Sequence, residues 1–203
     1  MKRYAVLASG FGSNLQALID AQRKKKIRGA LALVVSDRKG APALERARKA
    51  GIPAVFVDPA RFPDRESFDK EIIRHLREAR VDHVVLAGFM RILSADFIAA
   101  FRNRIVNVHP ALLPAFRGAH AIRDAVESGA KLTGVTIHFV DEQVDHGAII
   151  AQEAVKISAK DTLKSLERKI HAVEHKLYPR VVDALLRGKL RIKGRKVIIA
   201  HGS

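Results

Sequence analysis

The sequence predicts an α/β protein built on an open, mostly parallel, twisted sheet with helices on both faces. Short apolar runs alternate with amphipathic helical patterns from residue 3 to residue 108, and this alternation is typical of consecutive strand–helix–strand units. The run at residues 83–87 is almost entirely apolar, which favours a strand buried on both faces of a sheet. After Pro114 the apolar runs lengthen, and we expect mixed or antiparallel strands and a long helix there.

The N-terminal half is predicted to alternate strands with helices. Pro42 suits the first position of a helix because its ring already fixes φ, and Gly51 suits the end of that helix. Ser94 is a favourable N-cap for the helix that follows it. The predicted strands are residues 3–8, 30–36, 55–57, 83–87 and 104–108, and the predicted helices are residues 13–25, 42–50, 65–80 and the segment after Ser94.

The C-terminal half has a different pattern of apolar runs. It is predicted to contain a short helix over residues 120–128, strands over 133–140 and 149–157, and a long helix over 161–187 with a bend near Pro179. The short apolar runs at 190–192 and 197–199 flank a Lys-Gly-Arg-Lys turn and predict a hairpin. Because no internal repeat or linker interrupts the chain, we expect one domain over residues 1–203.

Composition excludes several classes of protein. The chain has no cysteine, so a disulfide framework and a thiolate metal site are both impossible. No apolar stretch approaches the length of a membrane span. We therefore expect a cytoplasmic protein without a membrane partner.

The charge balance is unusual, with 37 basic and 21 acidic residues giving a net charge of +16. Aromatic residues make up only 5% of the chain, which argues against stacking platforms for single-stranded nucleic acid, and no helix-turn-helix or finger pattern is present. We therefore expect no nucleic-acid partner, although a basic nucleic-acid-binding protein is the alternative from a different class. A Lys/Arg-rich surface without a specific partner and a field that attracts a small anionic substrate are both compatible with this charge.

The Asn-Val-His-Pro stretch at residues 107–110 is the most informative motif. Side chains alternate along a strand, so Asn107 and His109 share one face at the end of a predicted strand. With Asp145 they would supply an oxyanion donor, a titratable imidazole and a carboxylate, the groups that acyl transfer to an amine requires. The alternative is that Asn107 and His109 only cap a turn before Pro110.

The Ser-Gly-Phe-Gly-Ser-Asn stretch at residues 9–14 lies between the first predicted strand and helix. Its glycines allow a ligand to approach the backbone closely, and the helix N-terminus offers free N–H groups, so the segment suits a phosphate. It matches neither the dinucleotide fingerprint nor the Walker loop. A glycine-serine turn that merely caps a helix would have the same sequence.

A third motif, His-Ala-Val-Glu-His at residues 171–175, matches an inverted zinc-protease pattern. Two histidines four residues apart share a helix face, but catalytic zinc needs a third protein ligand, and the rest of this helix offers only Asp183. We therefore expect structural or substrate-contacting roles for these residues and no metal site.

Taken together, residues 10–16, 86–93, 107–114 and 145–152 resemble the phosphoribosylglycinamide formyltransferases of purine biosynthesis, which are folate-dependent formyltransferases. The likeness continues to Glu174 and to Tyr178, so it covers nearly the whole chain. It implies a Rossmann-like formyltransferase fold. It also implies that the N-terminal half binds a ribonucleotide phosphate and the C-terminal half binds folate.

The resemblance further implies a reaction and a set of site residues. The formyl donor would be 10-formyltetrahydrofolate as co-substrate, the acceptor would be the primary amine of glycinamide ribonucleotide, and the protein would act without a metal as a monomer or homodimer. Asn107, His109 and Asp145 would be catalytic. The ribonucleotide would contact Gly12, Ser13, Asn14 and Glu174; folate would contact Arg65, Met90, Arg91, Ile92, Leu93, Val140 and Glu142; and Thr136, His120 and His138 would support the site.

The chemistry of the residue types agrees with this implied reaction. Negative charge develops on the formyl oxygen when an amine attacks, and Asn107 and His109 can stabilise it, while Asp145 can accept the proton that the amine loses. Arginines suit the carboxylates of folate because their planar fork pairs with a carboxylate bidentately. Hydrolysis of formyltetrahydrofolate on the same scaffold is the nearest alternative, but it does not explain the glycine-rich stretch.

The chain departs from the family at a few positions. Phe11 stands where a small or polar residue is frequent, and His146 stands where a glycine is frequent beside the catalytic aspartate. His171 and Ala172 stand where polar residues are expected near the folate site. The glycine-rich stretch and the folate pocket are therefore expected to pack differently from those of the family.

Overall fold

The computed structural model describes residues 1–200, and it confirms the predicted α/β class. Within these residues a nine-stranded sheet has the order β3-β2-β1-β4-β5-β6-β7-β9-β8. The strands are β1 Arg3–Leu7, β2 Ala30–Ser36, β3 Ala54–Phe56, β4 His83–Leu86, β5 Ile105–His109, β6 Leu132–Phe139, β7 Ile149–Lys156, β8 Leu190–Lys193 and β9 Lys196–Ile199. The helices are α1 Ser13–Arg23, α2 Pro42–Lys49, α3 Arg65–Glu78, α4 Ala95–Ala100, α5 Ala121–Glu127 and α6 Leu163–Leu186.

The sheet is parallel from β3 to β5 and then becomes mixed. β5 and β6 pair antiparallel, as do β6 and β7, while β9 adds to β7 in parallel. The chain builds β1, β2 and β3 in one direction and then returns to place β4 on the other side of β1. The loops that follow β1 and β4 therefore diverge at a topological switch point, where open α/β sheets form their ligand crevice.

Helices cover both faces of the sheet, as predicted. Along β1, Tyr4 and Val6 belong to a core cluster with apolar residues of α1, α2 and α6, whereas Ala5 and Leu7 belong to a second cluster with α3 and α4. This split follows from the alternation of side chains along a strand. All four side chains have no exposed surface, which explains why β1 is a continuous apolar run.

The element boundaries differ from the predicted ones by a few residues, and the reasons are local. The helix predicted from residue 161 begins at Leu163, because Thr162 is its N-cap and exchanges reciprocal bonds with Ser165. It then continues through Pro179 to Leu186, one residue short of the predicted end. A short 3₁₀ turn at Pro59–Arg61, which was not predicted, is capped by Asp58.

None of the helices within residues 1–200 is both long enough and apolar enough to cross a lipid bilayer.

Candidate active site

The candidate site lies at the carboxyl edge of the sheet, where the loops after β1, β4 and β5 meet. Two hydrogen bonds join the first two loops: the Ser9 N–H donates to the Gly88 carbonyl at 3.0 Å, and the Met90 N–H donates to the Ser9 hydroxyl oxygen at 2.9 Å. The hydroxyl of Tyr178, which lies on α6, hydrogen-bonds to the carbonyls of Leu86 and Val106, at 2.8 and 3.1 Å. The ends of β4 and β5 are therefore fixed to each other and to α6.

Strands β5 and β6 supply the centre of the site. Asn107 and His109 lie on the same face of β5, as their spacing predicted, and the antiparallel register places His138 opposite Asn107 and Thr136 opposite His109. Directly opposed residues of two strands project to the same face of the sheet, so all four side chains belong to one layer. His138 and Thr136, predicted as supporting residues, therefore lie beside the predicted catalytic pair.

Asp145 comes from the loop between β6 and β7 and closes the cluster. Its Oδ2 is 3.3 Å from His109 Nδ1, and its Oδ1 is 3.4 Å from Asn107 Nδ2 and 3.5 Å from His138 Nε2. The backbone of Asp145 has a φ of 48°, in the left-handed region that Asp tolerates better than most residues. The structure thus brings together the three residues that the sequence proposed as a catalytic set.

Backbone groups of the loop after β5 complete the cluster. His109 Nε2 is 2.7 Å from the Phe116 carbonyl oxygen, so this nitrogen carries a proton, because a carbonyl only accepts. The Gly118 N–H donates to Asp145 Oδ2 at 2.9 Å. Neither contact was predicted, since a backbone atom leaves no side-chain signature in a sequence. Both nitrogens of His109 consequently face oxygen atoms.

The electrostatics of the pair follow from burial and from these contacts. Burial lowers the pKa of His109, because the imidazolium loses its hydration, and the charge of Asp145 offsets part of that effect. Burial would raise the pKa of the Asp145 carboxyl, but hydrogen bonding from His138 and from the Gly118 N–H, together with the charge of His109, outweighs it and lowers the pKa. The contacts of Asp145 therefore favour its ionised form, while burial disfavours the charged form of His109.

A cavity of about 420 Å³ adjoins the cluster and contains most of the predicted folate-binding residues. Its walls come from the segment after β4, the end of β5 and the loop between β6 and β7. The predicted residues that line it are Met90, Arg91, Ile92, Leu93, Val140 and Glu142. Arg65 lies outside this lining set, with its guanidinium 3.1 Å from Glu66, and His120 lies exposed at the N-terminus of α5.

The glycine loop, residues 10–14, lies on the other side of the β1–β4 switch point. Gly12 is the N-cap of α1 with a φ of 75°, and within residues 1–200 no side chain bonds to the first turn of that helix as a cap. The backbone N–H groups of that turn are therefore open to a ligand, and the helix dipole favours an anion there. Gly12 could not be replaced without strain, since an added Cβ would lie 2.9 Å from Ala43.

Glu174 of α6 links the glycine loop to the long helix. Its side chain is 3% exposed and accepts a hydrogen bond of 2.9 Å from the Asn14 amide. His171 Nδ1 lies 2.9 Å from the same carboxylate oxygen, and this contact raises the pKa of His171. The rings of His171 and His175 stack with their centroids 6.0 Å apart.

The residues of the zinc-protease pattern on α6 thus make contacts other than metal ligation. Glu174 is engaged with Asn14 and His171 rather than turned towards a common point with both histidines. In the part of the chain that the structure describes, no group of three or more His, Asp or Glu side chains is arranged to hold a metal ion.

Thr136 supports the turn that follows the catalytic strand. Its hydroxyl donates to the Ala111 carbonyl at 2.6 Å and accepts from the Leu113 N–H at 3.0 Å and from the Gln152 amide at 2.9 Å. A buried hydroxyl with all of its bonding capacity used is a rigid anchor. Thr136 therefore anchors the turn after β5, and its supporting role in a reaction stays a prediction.

The fold and this cluster define the class of the protein, a Rossmann-like α/β enzyme with its polar centre at the carboxyl edge of the sheet. A sequence model of the formyl transferase family matches residues 2–182. The chain therefore belongs to the formyl transferase family, and the resemblance inferred from its motifs is confirmed.

Relatives of known name agree with this assignment. The chain is 41% identical over 186 residues to the phosphoribosylglycinamide formyltransferase of Bacillus subtilis, covering 92% of this chain and 95% of that protein. It is 50% identical over 192 residues to the trifunctional purine biosynthetic protein adenosine-3 of Drosophila pseudoobscura pseudoobscura, which covers 94% of this chain. The chain spans only 14% of the length of that larger protein.

Solved structures with two different names superimpose closely on this chain. The crystal structure of glycinamide ribonucleotide transformylase 1 from Symbiobacterium toebii superimposes with a TM-score of 0.97 at 47% identity, covering 99% of this chain and 95% of that one. A formyltetrahydrofolate deformylase from Pseudomonas syringae superimposes with a TM-score of 0.90 at 28% identity, covering 98% of this chain and 65% of that one.

Proposed function

We propose that this protein transfers the formyl group of 10-formyltetrahydrofolate to the primary amine of glycinamide ribonucleotide. The observation that carries the proposal is the position of the cluster of Asn107, His109 and Asp145. The cluster lines the cavity that contains the predicted folate-binding residues other than Arg65, and it lies near the switch point that the glycine loop flanks. Relatives that share this fold and family carry that activity in their names.

The cavity beside the cluster suits a folate. Met90 and Ile92 are 60% and 56% exposed in its wall, and apolar side chains left open in a concave site favour a flat, partly apolar ligand. Arg91 lies 4.8 Å above the ring of Phe68, which holds its guanidinium near the same opening. An arginine so placed is available to the carboxylates of the glutamate end of folate.

The glycine loop suits the phosphate of the ribonucleotide. The first turn of α1 offers uncapped N–H groups, and Ser13 adds a hydroxyl at the same point. Glu174 and Asn14, which are hydrogen-bonded to each other, border this position and can meet the polar groups of the sugar. The ribonucleotide would thus lie with its phosphate at α1 and its amine directed towards β5.

In the proposed chemical step the amine nitrogen attacks the formyl carbon, and the carbonyl oxygen becomes an oxyanion. The Asn107 amide and the proton on His109 Nε2 stabilise this charge, while Asp145 accepts the proton that the attacking nitrogen loses, directly or through a water molecule. The bond from carbon to N10 of the folate then breaks, and N10 takes up a proton as the carbonyl re-forms. No bond to the enzyme is needed.

The contact between His109 and Phe116 adds a requirement to this step. His109 Nε2 is the ring nitrogen that carries a proton, and in the free protein that proton is directed to the Phe116 carbonyl. The formyl oxygen has to take the place of this carbonyl oxygen before His109 can stabilise it. Ligand binding is therefore expected to move residues 115–118 away from His109.

Hydrolysis of 10-formyltetrahydrofolate is the second candidate, favoured by the structural similarity to a deformylase. The same cluster can activate a water molecule in place of an amine. The glycine loop argues for the transferase, because a hydrolase has no phosphorylated substrate to hold there.

The purified protein should be incubated with 10-formyltetrahydrofolate, with and without glycinamide ribonucleotide, while deformylation of the folate is followed. We expect turnover only with the ribonucleotide, and we expect Asn107→Ala to abolish it. Asn103→Gly is the matched control, since it removes an asparagine amide from a surface turn where φ is 57°. Turnover without the ribonucleotide would favour the hydrolase, and no turnover under either condition would reject both candidates.

A further inference from the structure

The hairpin of β8 and β9 follows the last residue of the family match, residue 182, yet it contacts the loop that carries Asp145. Arg195, in the turn of this hairpin, donates from Nη2 to the His146 carbonyl at 2.7 Å, and its Nη1 lies 3.1 Å from His146 Nε2. One guanidinium thus binds both the backbone and the side chain of the residue that follows Asp145.

The ring of His146 makes a second link on its opposite side. Its Nδ1 is 2.8 Å from Asp141 Oδ2, and because an ionised carboxylate only accepts, Nδ1 carries a proton. In a neutral ring Nε2 then has a free lone pair, which can accept from Arg195. The chain of contacts from Arg195 through His146 to Asp141 is therefore complete in donors and acceptors, and we name these three residues the brace.

The brace contacts the loop between β6 and β7, which carries Asp145. The base of the loop is closed by the Phe139 N–H, which donates to the Ala148 carbonyl at 2.9 Å. Gly147 fits against that base only because it lacks a Cβ, which would lie 1.8 Å from the Phe139 carbonyl oxygen. Residues 141–145 line the cavity beside the catalytic cluster, and Val144 is 48% exposed. The brace adds to the contacts that Asp145 makes with His109 and with the Gly118 N–H, and it restrains the neighbouring residues 141–146 of the loop.

We propose that Arg195 and His146 are positioning residues, which hold the loop in the conformation that places Asp145 against His109 and shapes the wall of the cavity. A glycine at position 146, frequent in the family that the sequence resembles, would leave Arg195 with the carbonyl alone. The brace through the imidazole is therefore a feature of this chain. The kinetic part of the inference rests on the proposed function, whereas the structural part does not.

The structural part is tested by amide hydrogen exchange of residues 140–147 in the protein without ligands. We expect Arg195→Ala and His146→Ala to raise exchange in this segment about tenfold, while the strands β4 and β5 keep their protection. Arg191→Ala is the matched control, because it removes an exposed arginine from the same hairpin. Exchange in Arg195→Ala equal to that in Arg191→Ala would overturn the inference.

The kinetic part is tested with the same variants. We expect Arg195→Ala to raise KM for 10-formyltetrahydrofolate and to lower kcat by about tenfold, because it displaces Asp145, while KM for the ribonucleotide stays unchanged. Arg195→Lys, which can still reach the His146 carbonyl, should recover part of the loss. Equal effects on both KM values would indicate a general loss of structure and would contradict a positioning role. If the wild-type protein transfers no formyl group, the proposed function fails, and the exchange experiment still decides the inference.

Discussion

Asn14 and Glu174 are 160 residues apart in the sequence, and a hydrogen bond of 2.9 Å joins their side chains. This bond connects the start of α1 to the middle of α6, so it ties the glycine loop to the long helix. Glu174 is almost fully buried, and its contacts with Asn14 and His171 compensate for the loss of hydration.

Replacement of Glu174 by alanine should remove the link between the glycine loop and α6. We expect the free energy of unfolding to fall by about 1–3 kcal/mol, because the Asn14 amide is left without its partner. KM for glycinamide ribonucleotide should rise while KM for 10-formyltetrahydrofolate stays the same, and denaturant unfolding and initial rates measure the two effects. Glu167→Ala on the same helix is the control, and an equal change in both KM values would contradict this account.

Arg46 of α2 holds the tip of the glycine loop from the opposite side. Its Nε donates to the Phe11 carbonyl at 2.9 Å, its Nη1 donates to Gln16 at 3.1 Å, and its guanidinium lies 4.4 Å from the centre of the Phe11 ring. The exposed ring of Phe11, unexpected at this position, is thus part of a cation–π contact that fixes the loop.

We expect Arg46→Ala to weaken the binding of inorganic phosphate about tenfold, because the loop and the first turn of α1 each lose a charge-assisted bond and the site loses a nearby cation. Titration calorimetry of the protein with phosphate measures this directly. Arg48→Ala removes the same charge from the same helix and serves as the control. Equal loss in both variants would show that only net charge matters, and the proposed role of Arg46 would then be wrong.

A sequence can specify those parts of a site that follow from local rules. Asn107 and His109 could be placed together because the alternation of a strand is a local rule. The place of Asp145 could not be derived locally, since it depends on the register of β5 with β6 and on a left-handed residue in a loop. It was supplied by the family resemblance.

Several further contacts had no signal in the sequence. The carbonyl of Phe116 and the N–H of Gly118 act through the backbone, which every residue shares. The link from Arg195 to His146 joins a hairpin to a loop 49 residues earlier, and no periodicity reports such a distance. The fold class and the elements were predictable because apolar patterning is repeated along each element, whereas single long-range polar contacts leave no such pattern.

His83 of β4 should make the protein labile to acid. Burial lowers its pKa from 6.5 to about 4, against the opposing charge of Asp82, and its Nδ1 is buried without a partner within the described residues. Below pH 6.5 the unfolded chain binds a proton that the folded chain does not bind until its pKa near 4 is reached. The contribution of His83 to stability is therefore fully present above pH 6.5 and is lost as the pH falls through this window.

We expect His83→Gln to flatten the dependence of the melting temperature on pH between about pH 7 and pH 5, since glutamine does not titrate. Thermal unfolding followed by circular dichroism at several pH values measures this slope. His120→Gln, which changes an exposed histidine, is the control and should keep the wild-type slope. A slope for His83→Gln equal to that of the wild type would contradict the prediction.

The net charge of +16 can speed the association of both substrates, because the proposed function requires both to be anions. We expect kcat/KM for glycinamide ribonucleotide to fall as salt rises from about 50 to 500 mM, because screening shortens the range over which the surface attracts a phosphate. The value of kcat should change little, since charges that contact the bound substrate are screened much less. Stopped-flow and steady-state rates over a salt series measure the two quantities, and an uncharged viscogen at matched viscosity controls for slower diffusion. If kcat/KM does not depend on salt, the charge does not steer the substrate, and the basic residues would then be a property of the surface alone.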